Sequence, residues 1–356
     1  MSTAYGFVGL EHLFNQRVSQ VGVERSFTAV QESATEHTRV MNEMIRQLAQ
    51  RTIVPQEQVE LSGDNTLQSL DEHGIPKPVR PSGSYQVGYP IYGGGTAWGD
   101  NRVSRSMQTL EELNRHMIDA QVADANWLRI KMLVALLDNT TGTYNDKAGI
   151  NGSKGLGNIT IQPLANGDSV TYVRRGGSSA TDNHYLAQAA DISDAANPFP
   201  IIRKELVEHP SNGGEGVIVY VASDLTDDIE GLASFAEVLD PDVTPADNTG
   251  RLNAQGMRHF GDEVLGKSNK CWIVEWSALP SGYMVAQSMN AEPPLAMREY
   301  ASQDLQGFFP ENWDVNGNNK QTSMIRYAGF GVKNRVSALV YQIGNATYQI
   351  PSGYAR

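Results

Sequence analysis

Residues 106–139 read SMQTLEELNRHMIDAQVADANWLRIKMLVALLDN, and this stretch organises everything on either side of it. Met107, Leu110, Leu113, Met117, Val122, Ala125, Leu128, Met132 and Leu136 fall close to one face of a helix. At about 1.5 Å per residue such a helix is roughly 50 Å long. That is long for a globular helix, and no heptad repeat accounts for it as a coiled coil.

Upstream, residues 53–105 have a different character. They are rich in Gly, Pro, Ser and Tyr, and Pro76, Pro78 and Pro81 punctuate their middle. Residues 84–92 predict a strand, Gly93-Gly94-Gly95 a turn and residues 96–99 the returning strand. Such a length of chain without a core of its own is expected to reach toward a partner. Further upstream the spacing of Phe27, Val30, Ala34, Met41, Ile45 and Leu48 predicts a helix over 26–51. Ser26 would be its N-cap, with Arg46 and Arg51 near its C-terminal end. Residues 1–25 read as an extended arm.

Downstream the elements alternate. Short strands are predicted at 159–161 and 169–173, a helix at 198–208, a buried strand at 216–222 and a helix at 224–238. Strands follow at 271–276 and, after Pro280-Ser281-Gly282, at 283–286. Residues 324–343 predict two strands bent at Gly329 and Gly331. The fold class is therefore α+β.

Composition narrows the function. The 356 residues suggest two or three compact units, or one elaborate one. The apolar fraction is 40% and the mean hydropathy −0.38. The longest helical apolar run, 130–137, is broken by Lys131 and falls far short of the ~20 residues that span a bilayer, so no membrane association is expected. The net charge of −12 argues against a protein that wraps DNA, because gripping phosphates needs a basic surface. Cys271 is the single cysteine, so no intramolecular disulfide can form, which fits a reducing compartment. Residues 1–6 show no basic region leading into an apolar block, and no secretory signal is expected.

Chemical motifs are sparse. Gly261-Asp262-Glu263-Val264-Leu265-Gly266-Lys267-Ser268 satisfies the G-x-x-x-x-G-K-[ST] phosphate-loop pattern. The motif needs a strand before the loop and a helix after it; the sequence around it predicts neither, and Asp262 and Glu263 would place two negative charges in an anion cradle. A P-loop nucleotide-binding enzyme is the weaker alternative. The histidines at 12, 37, 73, 116, 184, 209 and 259 show no metal-ligand spacing. Asp224, Asp227 and Asp228 suit the first turn of a helix. No catalytic, cofactor or metal site is expected, and no enzyme activity. Arg102 and Arg105 flank the start of the long helix, where its dipole does not favour them; they read as solvated charges or as partners for carboxylates on another subunit.

The order of parts, together with three local segments, resembles the major capsid protein of tailed bacteriophages, a fold shared with encapsulin shells and the herpesvirus capsid floor. The segments are residues 273–286 (strand, Leu279-Pro280-Ser281-Gly282-Tyr283 turn, strand), residues 294–299 (Pro294-Leu295-Ala296-Met297-Arg298-Glu299) and residues 326–342. The resemblance implies an N-terminal arm and helix (1–52), an extended two-stranded loop (53–105) and a peripheral domain (106–212) with a spine helix at 106–139. An axial domain (213–310) and C-terminal strands returning to the core (311–356) complete it. It implies a structural subunit that self-assembles into the pentamers and hexamers of an icosahedral capsid, within the host cytoplasm, around packaged double-stranded DNA held without sequence-specific binding. A separate scaffolding protein, a portal and a decoration protein are the implied partners; an encapsulin-like nanocompartment is the alternative within the same fold. Inter-subunit contacts are expected at Lys77, Arg80, Tyr85, Tyr89, Tyr92, Trp98, Arg102 and Arg105. Lys77 is the only lysine of the loop, and with no partner asparagine matched to a motif no covalent cross-link is expected.

Overall fold

The hydroxyl of Thr109 accepts the amide of Glu112 at 3.2 Å, and the Glu112 carboxylate accepts the amide of Thr109 at 3.0 Å. This reciprocal capping box satisfies two amides that a helix start leaves without partners. The long helix therefore begins at Leu110, four residues later than its sequence expectation, and runs to Leu137. The computed structural model describes residues 17–18, 23–61, 69–75, 83–99, 107–148, 154–214, 216–237, 264–311 and 321–356.

In chain order the first elements are α1 (Val23–Ile45), β1 (Ala49–Thr52), β2 (Gln56–Leu61), β3 (Gly83–Gly88), β4 (Tyr92–Gly99) and α2 (Leu110–Leu137). Then come β5 (Gly142–Ala148), β6 (Lys154–Ile161), β7 (Asn166–Val173), β8 (Ser179–Asn183), β9 (Tyr185–Gln188) and α3 (Phe199–Val207). After β10 (Val217–Val221), α4 (Thr226–Glu230), β11 (Phe235–Glu237), β12 (Val264–Ser268) and β13 (Cys271–Glu275), the chain ends with β14 (Tyr283–Ser288), β15 (Leu295–Arg298), β16 (Phe308–Glu311), β17 (Gln321–Val332) and β18 (Ala338–Ile343).

Two larger sheets carry the architecture. The seven-stranded sheet runs β11-β12-β13-β10-β14-β18-β9, with β10 parallel to β13, β18 parallel to β9 and the other pairs antiparallel. Its central strand β10 is buried at every position. Val217, Val219 and Val221 face a core closed by α3 and α4; Ile218 and Tyr220 face the core shared with α1 and α2. Side chains alternate along a strand, so a strand covered on both faces has to be apolar throughout. The five-stranded sheet, β1-β15-β17-β16 with β4 added on β17, forms a further wall of the α1–α2 core.

Several sequence expectations shift. The first helix ends at Ile45, because residues 49–52 join β15 as the parallel strand β1. That pairing brings Arg51 onto the carboxylate of Glu299, which is 1% exposed and needs a cation beside it. Gly93-Gly94-Gly95 is no turn: the three residues lie inside β4, opposite Tyr327, Arg326 and Ile325 of β17. A β-carbon at Gly94 would stand 2.7 Å from Cε2 of Trp127 on α2, so the strand's glycine admits the helix. Gly329 and Gly331 are likewise interior to β17, and the bend falls after Val332 instead. A β-carbon at Gly331 would lie 2.7 Å from the carbonyl oxygen of Gly88. The helix expected over 224–238 shortens to α4, and residues 235–237 pair with β12 as β11.

The buried face of α2 also departs from the apolar line drawn through Val122 and Ala125. Val122 is 46% exposed, and the buried positions there are Ala120, Gln121 and Asp124. Gln121 Nε2 donates to Ser33 Oγ of α1 at 2.8 Å. Asp124 accepts from Arg326 Nε at 2.6 Å and lies 2.9 Å from His37 Nε2. A buried polar group is tolerated only with partners, and here α1 and β17 supply them.

Candidate assembly interface

The only two-stranded excursion among the described residues of 53–105 is the β2–β3 hairpin, paired from Gln56↔Gly88 to Leu61↔Gly83. Its faces are chemically distinct. Tyr85 and Val87, with Val59 and Leu61, pack on Ala165, Tyr172, Ala296 and Val336; Gln58, Glu60, Ser84 and Gln86 face outward. The base of the stretch thus packs into a core that it shares with the rest of the chain.

Two buried arginines clamp that base. Arg335, 0% exposed, donates from Nε to the Pro163 carbonyl at 2.9 Å, and its Nη1 lies 2.8 Å from Asp168 Oδ2. Its guanidinium stands 5.5 Å from the ring centre of Tyr85 and 6.0 Å from that of Tyr172. Arg298 Nη1 donates to the Tyr89 carbonyl at 2.9 Å, while its Nη2 pairs with Asp146 Oδ1 at 2.9 Å. Burial pushes the Tyr85 phenol up to about 12, so it stays neutral beside this cation.

Toward its tip the excursion changes character. Residues 69–75 are all exposed, yet locally ordered. Asp71 Oδ1 accepts the amides of His73 at 2.9 Å and Ile75 at 2.8 Å, and the Gly74 amide donates to the Asp71 carbonyl at 3.0 Å. Gly74 has φ +76°, a conformation that L side chains rarely adopt. This turn holds Leu70, 61% exposed, and Ile75, 59% exposed, in water. Two large aliphatic side chains on an exposed turn are costly to hydrate and gain on association.

The residues expected at inter-subunit contacts are distributed as follows. Tyr85 is 9% and Tyr89 0% exposed, so both rings are committed to the chain's own core. Tyr92 is partly buried, edge-on to Tyr144 at 5.5 Å, with Lys131 Nζ 4.5 Å above its ring. Trp98 stacks on His116 at 5.6 Å. Lys77, Arg80, Arg102 and Arg105 lie outside the described residues. Leu70 and Ile75 escaped sequence reasoning because isolated apolar residues in a Pro/Gly-rich stretch carry no periodicity; the Asp71–Gly74 turn spacing was the available signal.

Gly261, Asp262 and Glu263 of the phosphate-loop match lie outside the described residues, and the remaining five do not form such a loop. Val264–Ser268 is strand β12, hydrogen-bonded between β11 and β13, and no helix follows. Its amides are engaged in sheet pairing, a β-carbon at Gly266 would meet the Phe235 ring, and Ser268 is buried against Ser234 Oγ at 2.8 Å. Two of the histidines that looked isolated in sequence, His184 and His209, meet Asp182 in the interior.

Comparison with solved structures places this architecture. The chain matches a structure of Mycobacterium phage Patience over 91% of its own length and 89% of that chain, with 22% identity and a TM-score of 0.64. It is also similar to the asymmetric unit of the bacteriophage PhiM1 mature capsid, with 11% identity, coverage of 85% and 87% and a TM-score of 0.48. A third similarity is to the satellite phage P4 procapsid including its size-determination protein, with 9% identity, coverage of 88% and 92% and a TM-score of 0.44. No protein-family profile and no curated protein sequence matches. The fold is the major capsid protein fold of tailed phages, as the resemblance implied.

Proposed function

We propose that this chain is the structural subunit of an icosahedral phage shell. It assembles with copies of itself into pentamers and hexamers around packaged double-stranded DNA, and it acts by association rather than catalysis. On this reading the β2–β3 hairpin is the extended loop lying over an adjacent subunit, and α2 is the spine of a peripheral domain. The seven-stranded sheet forms the axial domain around the ring centres. The observation that carries the proposal is the hairpin itself: a base clamped by Arg298 and Arg335, and a tip that presents Leu70 and Ile75 to water. Rings of identical subunits need heterologous contacts, and a projecting loop received by a different surface of the next copy provides one.

A separate scaffolding protein, a portal and a decoration protein are the partners this role calls for. The net charge of −12 suits a container that encloses DNA without gripping it. Electron microscopy and sedimentation of the overexpressed protein test the proposal. Closed shells, or rings of five and six, are expected. A monomer that persists across concentration, and also on co-expression with candidate scaffolding proteins, overturns it. Shells that enclose a protein cargo and no DNA assign the chain to a nanocompartment instead.

A further inference from the structure

Asp182 lies near the end of β8, His184 between β8 and β9, and His209 just after α3. Their side chains are 3%, 0% and 1% exposed. His184 Nε2 stands 3.2 Å from His209 Nε2; Asp182 Oδ2 stands 2.8 Å from the latter and 3.8 Å from the former.

The outer ring nitrogens determine what the inner ones can be. His184 Nδ1 is 2.6 Å from the carbonyl oxygen of Ala338, so it carries a hydrogen and donates it. In the neutral ring its Nε2 is then a bare lone pair. His209 Nδ1 faces the Val173 carbonyl at 3.4 Å. A backbone carbonyl behind each imidazole is the arrangement that orients ligating histidines toward a metal.

The carboxylate supplies an independent observation. Asp182 Oδ2 is buried and accepts no hydrogen bond, although His209 Nε2 is so near. Its other oxygen, Oδ1, accepts the Asn183 amide at 2.8 Å, and the nearest other cation to Oδ2, Arg174 Nη2, stands 3.7 Å away, beyond hydrogen-bond reach. A buried carboxylate oxygen without a hydrogen is expensive unless a cation faces it.

We propose that Asp182, His184 and His209 bind one divalent transition metal ion of the zinc class. Around tetrahedral zinc, with bonds of about 2.0–2.1 Å, neighbouring ligand atoms are roughly 3.3 Å apart. The three observed separations, 2.8, 3.2 and 3.8 Å, bracket that value. Two imidazole nitrogens and one carboxylate oxygen leave a fourth position for water, and a cavity of about 490 Å³ borders His209 and Tyr172. The ion would tie β8 to the segment after α3 and, through Ala338, to β18. It is a structural staple, independent of the shell assignment.

The test uses the untagged full-length chain. Elemental analysis after zinc loading and gel filtration should give about one zinc per chain. Cobalt substitution should give the visible absorption of a four-coordinate site. Chelation with EDTA should lower the Tm by on the order of 5 °C, and zinc should restore it. Asp182→Asn and His209→Gln should lose both the bound metal and the response to EDTA. The proposal is overturned if the wild type takes up no cobalt and its Tm ignores zinc and EDTA; the cluster is then held by a shared proton. Retention of stoichiometric metal by both folded variants overturns it as well.

Discussion

Asp124 on α2 and Arg326 on β17 stand 202 residues apart in sequence and meet at 2.6 Å, with side chains 2% and 1% exposed. His37 of α1 approaches the same carboxylate at 2.9 Å, so one buried charge joins two helices to the five-stranded sheet. Asp124→Ala leaves the Arg326 guanidinium buried without its anion. The expected loss is about 3–5 kcal/mol of unfolding free energy, read by denaturant titration. The double change Asp124→Leu with Arg326→Met should cost less than Asp124→Ala alone, because no unpaired charge remains.

Acid should weaken the same junction. Burial would raise the Asp124 carboxyl, but the Arg326 charge and the hydrogen bonds from His37 and Arg326 outweigh it and hold it below its usual value. A depressed folded-state value means that the stabilisation is complete above the unfolded carboxylate value of about 4, and is lost as the pH falls from there toward the folded value. Thermal unfolding from pH 7 to pH 2 should show Tm falling below about pH 4. The fall should be shallower in the Asp124→Leu/Arg326→Met protein; equal slopes would count against this ion pair.

Changes at the loop tip should separate folding from assembly. Leu70→Asp with Ile75→Asp alters two exposed side chains, so monomer stability should move by less than about 0.5 kcal/mol. Shell or ring formation in sedimentation should be lost. Normal assembly by this variant would remove the tip from the interface.

Close approach, not turn geometry, should explain the glycines of β17. Gly331→Ala puts a methyl group 2.7 Å from the Gly88 carbonyl oxygen and 2.9 Å from the Tyr89 ring. A loss of about 1–3 kcal/mol is expected, measured by chemical denaturation. Gly83→Ala is the control: the new group would lie 3.7 Å from Leu61, an ordinary contact.

The Cys271 thiol should be inert in the folded chain. It is fully buried at the start of β13, and burial pushes it up to about 12. Labelling with a thiol reagent should track unfolding; rapid labelling under native conditions would contradict the burial.

Local patterns were legible to the extent that they are local. The long helix, β10, β13 and β14 each announced themselves through apolar runs or helical spacing, and the order of elements was enough to suggest the capsid fold. Where the reading slipped, long-range contacts had set the local structure. Gly93–Gly95 looks like a turn in isolation, but Trp127 and the strand of Met324 and Ile325 require an extended backbone without side chains there. Residues 49–52 look like the end of a helix, but Leu295–Arg298 recruits them as a strand. Nothing local marks Asp124 as a buried charge, because its cation is 202 residues away.

By itself, then, the sequence determined the elements with a strong local pattern, among them the long helix, β10, β13 and β14, and the order in which the parts follow one another. These depend on residues within a turn or two of each other, where periodicity and capping act. Only the tertiary structure decided that Arg335 sits between Tyr85 and Tyr172, that Asp124 meets Arg326, and that Asp182, His184 and His209 share one buried point. A polar side chain can enter the interior only where distant strands and helices bring its partner. That requirement belongs to the packed chain and has no local periodicity in the sequence.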